Sequence, residues 1–245
     1  MLKKAKCPYC SEELDQALTS SKKCPHCKNK IIMRTSPDKK KVLLREDQVE
    51  EKVREWKEVY RIRALKREAE NYKGSDFKSD KHLYNAVMYR IRNDFDGTWE
   101  EYNKSLKSYL EEDSKSGLGE RQLGPYRNIV LKMAQFLQEI NKLKEALSYF
   151  IYVMYLDFSI DLERAEVSKK LDIISRKEYE DDIKYAYANN PIPFIAGEIF
   201  GLTNELNMGI EDLRKEYNEV TLKLREPMKL AKDIEGLWNN LLKHK

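Results

Sequence analysis

The chain has 245 residues, of which 36% are charged, and it contains only nine glycines and seven prolines. This composition is typical of a soluble, helix-rich protein, and the length exceeds that of one typical domain. No run approaches the roughly 18 apolar residues of a membrane span, so we expect no membrane-embedded part. No secretory signal is visible, which predicts a reducing, cytoplasmic location.

Positive charge is concentrated at the start of the chain. The net charge is +4, but residues 1–73 hold 20 basic and 12 acidic side chains, whereas residues 74–245 hold 26 basic and 30 acidic side chains. A basic end of this kind indicates either a surface that faces a polyanion or a solvated, lysine-rich face.

The four cysteines form two C-x-x-C pairs, Cys7 with Cys10 and Cys24 with Cys27. Each pair can place two thiolates on one tight knuckle, and two knuckles at this separation predict a tetrahedral zinc site. Residues 1–30 have too few apolar side chains for a core, and metal binding can supply roughly 10–16 kcal/mol instead. Because four cysteines fill four positions, we predict a structural Zn²⁺ and not a catalytic one.

Two other interpretations of the cysteines are weaker. A redox C-x-x-C would follow a buried apolar strand, but Lys3, Lys4 and Lys6 precede the first pair and Lys22 and Lys23 the second. Disulfides are uncommon in a reducing compartment. The histidine inside the second pair, at position 26, is predicted to be exposed and not to replace a cysteine as ligand.

A β-hairpin is predicted after the second knuckle. Two β-prone runs, 31–35 and 40–44, flank a Ser-Pro-Asp turn. With the two knuckles, residues 5–45 resemble the zinc-ribbon family, which gives a predicted domain 1–45. The resemblance implies a small sheet and Zn²⁺ at the cysteines, but zinc ribbons serve nucleic-acid binding, protein docking and scaffolding alike.

Residues 46–73 are predicted to form an amphipathic helix that ends at Gly74, so that 46–74 connects two domains. Its predicted apolar stripe consists of Val49, Val53, Trp56, Tyr60 and Ala64. The helix could lie across the next domain, pair with another chain or bridge the two domains. Its second half is basic, and we predict possible phosphate contacts at Arg61, Arg63, Lys66 and Arg67.

Residues 75–245 are predicted to form an α-helical, repeat-like domain. Short turns are expected at 93–97 and 140–142, a loop at 111–124, and breaks near Pro191 and Pro227. The predicted helices are Leu83–Arg92, Thr98–Leu110, Pro125–Glu139, Leu143–Leu156, 161 to about 175, Lys177–Ala188, Phe194–Leu206, Gly209–Arg225 and Met228–Lys243.

The pair of helices over 125–158 resembles a tetratricopeptide repeat. The matching positions are Val130, Met133, Ala134, Leu137, Ala146 and Phe150, and a weaker match lies at Ala86, Tyr89, Thr98 and Tyr102. The resemblance implies close helix crossings at the alanines and a concave groove that grips a peptide or helix. The alternative is a different all-α bundle.

The densest aromatic stretch, 149–158, is predicted either to be a buried helix or to line that groove. Tyrosine suits a binding surface because it offers a large area with few rotatable bonds. The possible partner groove therefore consists of Tyr149, Tyr152 and Tyr155.

The sequence contains no recognisable catalytic motif among its three histidines, four cysteines and glycines. The predicted fold is mainly α, with a small four-cysteine zinc ribbon, built on a β-hairpin, before a long helix and a tetratricopeptide-like array of helical hairpins. The predicted function is a non-enzymatic, cytoplasmic adaptor or regulator that binds a protein or peptide partner. A nucleic-acid-binding regulator is the alternative, and an enzyme on an unfamiliar helical scaffold is a third possibility. The oligomeric state is left open.

Overall fold

A computed structural model describes residues 5–14, 20–115, 123–170, 193–228 and 234–245, with 175, 177, 178 and 180–182. Contacts divide the chain into two units, Met1–Asn71 and Tyr72–Lys245. The described strands lie in the first unit, and the second is helical. The predicted fold class, mainly α with a small antiparallel β-structure, is confirmed. In the part of the chain that is described, no helix is long and apolar enough to cross a membrane.

The sheet of the first unit is antiparallel with the order β1-β2-β3. The hairpin predicted from the sequence is confirmed: β2 and β3 pair from Ile32 with Leu44 to Thr35 with Lys41. The turn closes because the Ser36 N–H donates to the Lys40 carbonyl oxygen at 2.8 Å. The strands are β1 (Lys22–Lys23), β2 (Lys30–Thr35) and β3 (Lys41–Leu44).

A 3-10 turn, Glu46–Gln48, leads from the sheet into helix α1 (Val49–Glu70). The Arg63 guanidinium donates to the Pro37 carbonyl oxygen and to Asp38 Oδ1, both at 2.7 Å. These contacts tie the second half of α1 to the turn of the hairpin within the first unit.

The single apolar stripe predicted along α1 is wrong in its second half. Tyr60 is 52% exposed, whereas Leu65 and Ala69 are buried. Trp56 in the first half is half-buried, and at 3.6 residues per turn it faces about 180° away from Leu65. The helix therefore buries different faces in its two halves, so one continuous apolar stripe does not describe it.

The second unit contains two helical hairpins, α2 with α3 and α4 with α5, and α3 also packs on α4. The long α5 additionally contacts α6 and α7, so it is the central helix of the unit. The described helices are α2 (Lys78–Ile91), α3 (Phe95–Lys115), α4 (Leu123–Glu139), α5 (Leu143–Lys170), α6 (Pro193–Glu205), α7 (Ile210–Met228) and α8 (Ile234–Leu242).

An asparagine in the left-handed conformation ends three of these helices. Asn93, Asn141 and Asn207 have φ values of 57°, 62° and 52°, which asparagine tolerates better than most residues. The next residue's N–H donates to the carbonyl oxygen five residues earlier, at 2.8–3.0 Å. This Schellman arrangement satisfies helix-end carbonyls and lets the following helix begin at once.

Helix α4 joins two core clusters. Val130 and Ala134 face the larger cluster, to which α4, α5, α6, α7 and α8 contribute, while Ile129 and Met133 face the smaller one with α2 and α3. The positions that carried the repeat resemblance are at most 4% exposed: Val130, Met133, Ala134, Leu137, Ala146 and Phe150.

The predicted break between Leu156 and position 161 is wrong, because α5 continues to Lys170. Residues 157–160 contain neither glycine nor proline, Phe158 is fully buried, and Ser159 Oγ donates to the Tyr155 carbonyl oxygen at 2.7 Å. The loop predicted at 111–124 is also too long, since α3 extends to Lys115 and α4 begins at Leu123.

The C-terminal helices differ from the prediction at their ends. Helix α7 includes Pro227 and ends one residue later, whereas the sequence predicted a break at that proline. The last helix is described over Ile234–Leu242, and residues 229–233 of the predicted helix Met228–Lys243 lie outside the described residues. The predicted helix 177–188 lies largely outside the described residues.

A buried carboxylate links α2 to α3. Glu101 accepts hydrogen bonds from His82 Nδ1 at 2.8 Å, Asn85 Nδ2 at 3.2 Å and Lys104 Nζ at 2.8 Å. Burial alone would raise the pKa of Glu101, but these hydrogen bonds outweigh it and hold the pKa below its usual value.

Stability of the second unit is therefore expected to fall in acid. Because the pKa of Glu101 is lower in the folded state, its stabilisation is present above the unfolded value of about 4.3 and is lost as pH falls through the folded value. Urea unfolding at pH 7 and pH 3 should show a smaller difference for Glu101→Gln than for the wild type. Glu100→Gln, at an exposed neighbour, should keep the wild-type difference. An unchanged pH dependence in Glu101→Gln would contradict this account.

Candidate metal centre

The two cysteine knuckles have the same backbone geometry. The N–H of Cys7 donates to the carbonyl oxygen five residues later at 2.9 Å, and that of Cys24 does the same at 2.8 Å. Ser11 and Lys28, four residues after these cysteines, have φ values of 63° and 65°. Their N–H groups donate back to the Cys7 and Cys24 carbonyls at 2.9 and 3.0 Å. Each knuckle is therefore a tight turn that places both of its sulfurs on the side of the other knuckle.

The four sulfurs form a compact group. Cys7 Sγ lies 3.8 Å from Cys27 Sγ, Cys10 Sγ lies 3.9 Å from Cys24 Sγ, and all four lie within 4.8 Å of one another. A tetrahedron with metal–sulfur bonds of about 2.3 Å has edges of about 3.8 Å. A disulfide would need about 2.05 Å, and all four cysteines are free. The group could hold a metal ion.

A small apolar cluster supports this site. Cys7 and Cys24 are buried with Leu14 and Ile31, while the second cysteine of each knuckle is partly exposed. His26 is exposed, as predicted. Within the described residues, the four cysteines are the one group of His, Cys, Asp and Glu side chains close enough to share an ion.

The thiols are unequal in acidity. Burial would raise the pKa of Cys24, but backbone N–H groups of Cys27 and His26 help to lower it to about 6. The backbone of Glu12 favours the Cys10 thiolate, yet burial and the neighbouring sulfurs raise the pKa of Cys10 to about 12. Four adjacent thiolates repel one another, and a divalent cation among them removes that repulsion.

Tyr9, inside the first knuckle, connects the site to the start of the helical segment. Its ring packs on the cysteine cluster, and its hydroxyl oxygen accepts the backbone N–H of Glu46 at 2.9 Å. This contact could not be predicted from the sequence, because the two residues are 37 positions apart. The signal in the sequence was the aromatic residue between Cys7 and Cys10, which indicates a side chain close to the cysteine cluster.

Replacing Tyr9 by phenylalanine should loosen this connection and keep the site. The ring packing remains, but the hydrogen bond, worth about 1 kcal/mol, is lost. We expect faster hydrogen exchange at the Glu46 amide and unchanged metal content. Tyr60→Phe, at an exposed position of α1, should leave both unchanged. Unaltered exchange at Glu46 in Tyr9→Phe would refute the connection.

The structure pairs two of the four predicted phosphate-contacting side chains internally. Arg61 donates to both carboxylate oxygens of Glu58 at 2.8 Å, and Arg63 is held by the hairpin turn. Lys66 and Arg67 are exposed. Arg61 and Arg63 are therefore already engaged within the first unit.

The three predicted groove tyrosines do not share one accessible surface. Tyr155 is fully buried and offers nothing to a partner. The hydroxyl of Tyr152 is hydrogen-bonded to that of Tyr126 at 2.8 Å. Tyr149 is partly exposed and packs against Trp99, with ring centroids 5.6 Å apart and an interplanar angle of 69°.

Tyr149 lines a cleft of about 410 Å³ that the helical hairpins form together. Phe95, at the start of α3, is 45% exposed there, and its ring centroid lies 6.1 Å from that of Phe136. We call this the aromatic cleft; its aromatic lining is Phe95, Trp99, Phe136 and Tyr149. Phe95 is not among the residues predicted for a partner site, because it falls in the turn predicted at 93–97.

Comparisons of the chain with protein-family models, with curated proteins and with solved structures find no match.

Proposed function

We propose that the four cysteines bind one structural Zn²⁺ and that residues 5–45 form a zinc ribbon. The sulfur spacing supports this, because it fits the bond length of a zinc tetrathiolate. Thiolate ligands also select soft or borderline metals over Mg²⁺ and Ca²⁺. With four sulfur ligands no position is left for substrate, so the ion would stabilise the fold.

We further propose that the protein is a non-enzymatic, cytoplasmic adaptor or regulator whose helical domain binds a peptide segment of a protein partner. The observation that carries this proposal is the aromatic cleft, with Phe95 45% exposed beside partly exposed Trp99 and Tyr149. Large aromatic side chains left accessible in a concavity are typical of binding sites. The close helix packing at Ala134 and Ala146 is compatible with a tetratricopeptide-like domain.

A peptide selection tests this function. A displayed random-peptide library would be selected on the zinc-loaded full chain, and the affinity of recovered peptides measured for Phe95→Ala and Phe77→Ala. Both residues are exposed phenylalanines at helix starts, but only Phe95 lines the aromatic cleft.

We expect Phe95→Ala to weaken binding by about tenfold or more, as for an interface hot spot, and Phe77→Ala to leave it unchanged. Peptides that bind both variants as well as the wild type would reject the aromatic cleft as the partner site.

Nucleic-acid binding by the first unit is the second candidate, and the exposed lysines of the ribbon favour it. Residues 16–37 contain five basic side chains and no acidic one, and Lys39, Lys40 and Lys41 are exposed at the hairpin turn. Lysine is depleted in protein interfaces but common in phosphate contacts. A zinc tetrathiolate, with a net charge of about −2, would offset part of this positive charge.

The salt dependence of binding to labelled DNA and RNA tests this candidate. Replacing Lys39, Lys40 and Lys41 by glutamine should reduce the slope of log affinity against log salt by about one for each lost phosphate contact. Arg61→Gln, at a position paired with Glu58, should change it less. Absence of binding at low salt would eliminate the candidate.

A further inference from the structure

We infer that the aromatic cleft accepts a cationic side chain, arginine or lysine, of the partner peptide. This inference rests on the proposal that the cleft is the peptide site. It goes further because it specifies the chemistry of the residue that enters.

The aromatic lining provides the first argument. Phe95, Trp99 and Tyr149 offer accessible ring surface at one place, and cations bind favourably over aromatic faces. The same ring cluster already holds such a group from within the fold, because the guanidinium carbon of Arg90 lies 5.9 Å from the centroid of Phe136. Phe136 in turn packs against Phe95.

Two carboxylates on the rim provide the second argument. Asp96 and Glu145 line the cleft, are exposed, and form no ion pair with another described residue. Among the described residues of the lining, Lys142 is the one basic side chain, so their summed formal charge is negative. Asp96 and Glu145 also lie in first helical turns, where helix dipoles favour acids. The aromatic faces beside these carboxylates add cation–π attraction to their negative charge, and the two together favour a cation.

An anionic occupant fits less well. The start of α3 could bind an anion through its free N–H groups, but Asp94 already occupies that position. Its Oδ1 accepts the Gly97 N–H at 2.9 Å. A carboxylate that entered the cleft would also approach Asp96 and Glu145.

Fluorine NMR of the zinc-loaded full chain, labelled with 5-fluorotryptophan, tests the inference. The three tryptophans, Trp56, Trp99 and Trp238, give one probe in the cleft and two internal controls. The probes are blocked tripeptides Gly-X-Gly in which X is arginine, lysine, citrulline, norleucine, phenylalanine or glutamate. Citrulline keeps the shape of arginine and lacks its charge.

We expect saturable shifts of the Trp99 resonance with the arginine and lysine peptides. The citrulline peptide should bind about fivefold more weakly than the arginine peptide, because about 1 kcal/mol of cation–π and charge attraction is lost. Equal responses to norleucine or phenylalanine would overturn the inference and leave the peptide cleft standing. A preference for glutamate would also overturn it. No response of Trp99 to any tripeptide would overturn the inference, while the library selection would still decide the proposed function.

The double variant Asp96→Asn with Glu145→Gln should reduce the difference between the arginine and citrulline peptides, because the charge attraction is lost and only the cation–π contribution remains. Glu211→Gln is the matched control, because Glu211 is also an exposed first-turn acid but does not line the cleft. If the double variant kept the full preference for arginine, the carboxylates would not be the recognition groups and the inference would fail.

Discussion

Replacing Cys24 with serine is expected to unfold the ribbon and to leave the helical unit folded. Cys24 is buried, its sulfur belongs to the group of four sulfurs that lie within 4.8 Å of one another, and few apolar side chains pack around it. Zinc binding in small domains is worth about 10–16 kcal/mol, far more than such a core supplies. Hydrogen exchange should show loss of protection at the Ser11 and Lys28 amides, while α4 and α5 keep theirs.

His26→Ala is the control for this prediction. His26 is exposed and lies outside the sulfur group, so its replacement should change neither metal content nor exchange. Chelation of the metal from the wild type should reproduce the effect of Cys24→Ser. Retained protection in both knuckles without metal would mean that the ribbon folds on its packing alone.

Truncating Tyr155 to alanine is expected to destabilise the helical unit by about 3–5 kcal/mol, the usual cost of removing a buried aromatic ring. Tyr155 is fully buried on the central helix, in the larger core cluster. The measurement is urea unfolding monitored by the circular dichroism of the full chain, with the midpoint and slope compared with the wild type.

Phe194→Ala, at a 51% exposed position of α6, should change stability by less than about 1 kcal/mol. If Tyr155→Ala proved as stable as this control, Tyr155 would be accessible and the original groove prediction would regain support. Loss of stability at Tyr155 would instead place its side chain in the core and remove it from any partner surface.

The features that could be predicted from the sequence are those specified locally. Two C-x-x-C pairs and a Ser-Pro-Asp turn are sufficient to place the knuckles and the hairpin, because each depends on a few adjacent residues. The helix turns near Asn93 and Asn141 were predictable for the same reason. The alternation of alanines and large side chains around Phe150 indicated a close helix crossing, and those residues are buried.

The features that could not be predicted depend on contacts between distant residues. Whether Arg63 is available depends on the hairpin turn 25 residues earlier. Whether Tyr149 or Tyr155 is accessible depends on which face of α5 the other helices cover. Phe95 became a candidate only when α3 and α5 were brought together, since a lone phenylalanine in a turn carries no signal.

The most direct test of the account is X-ray absorption at the zinc edge of the zinc-loaded full chain. We expect one zinc ion per chain with four sulfur neighbours at about 2.3 Å and no nitrogen or oxygen ligand. Fewer than four sulfurs, a nitrogen or oxygen ligand, or a chain that binds no zinc would contradict the closed structural site formed by Cys7, Cys10, Cys24 and Cys27.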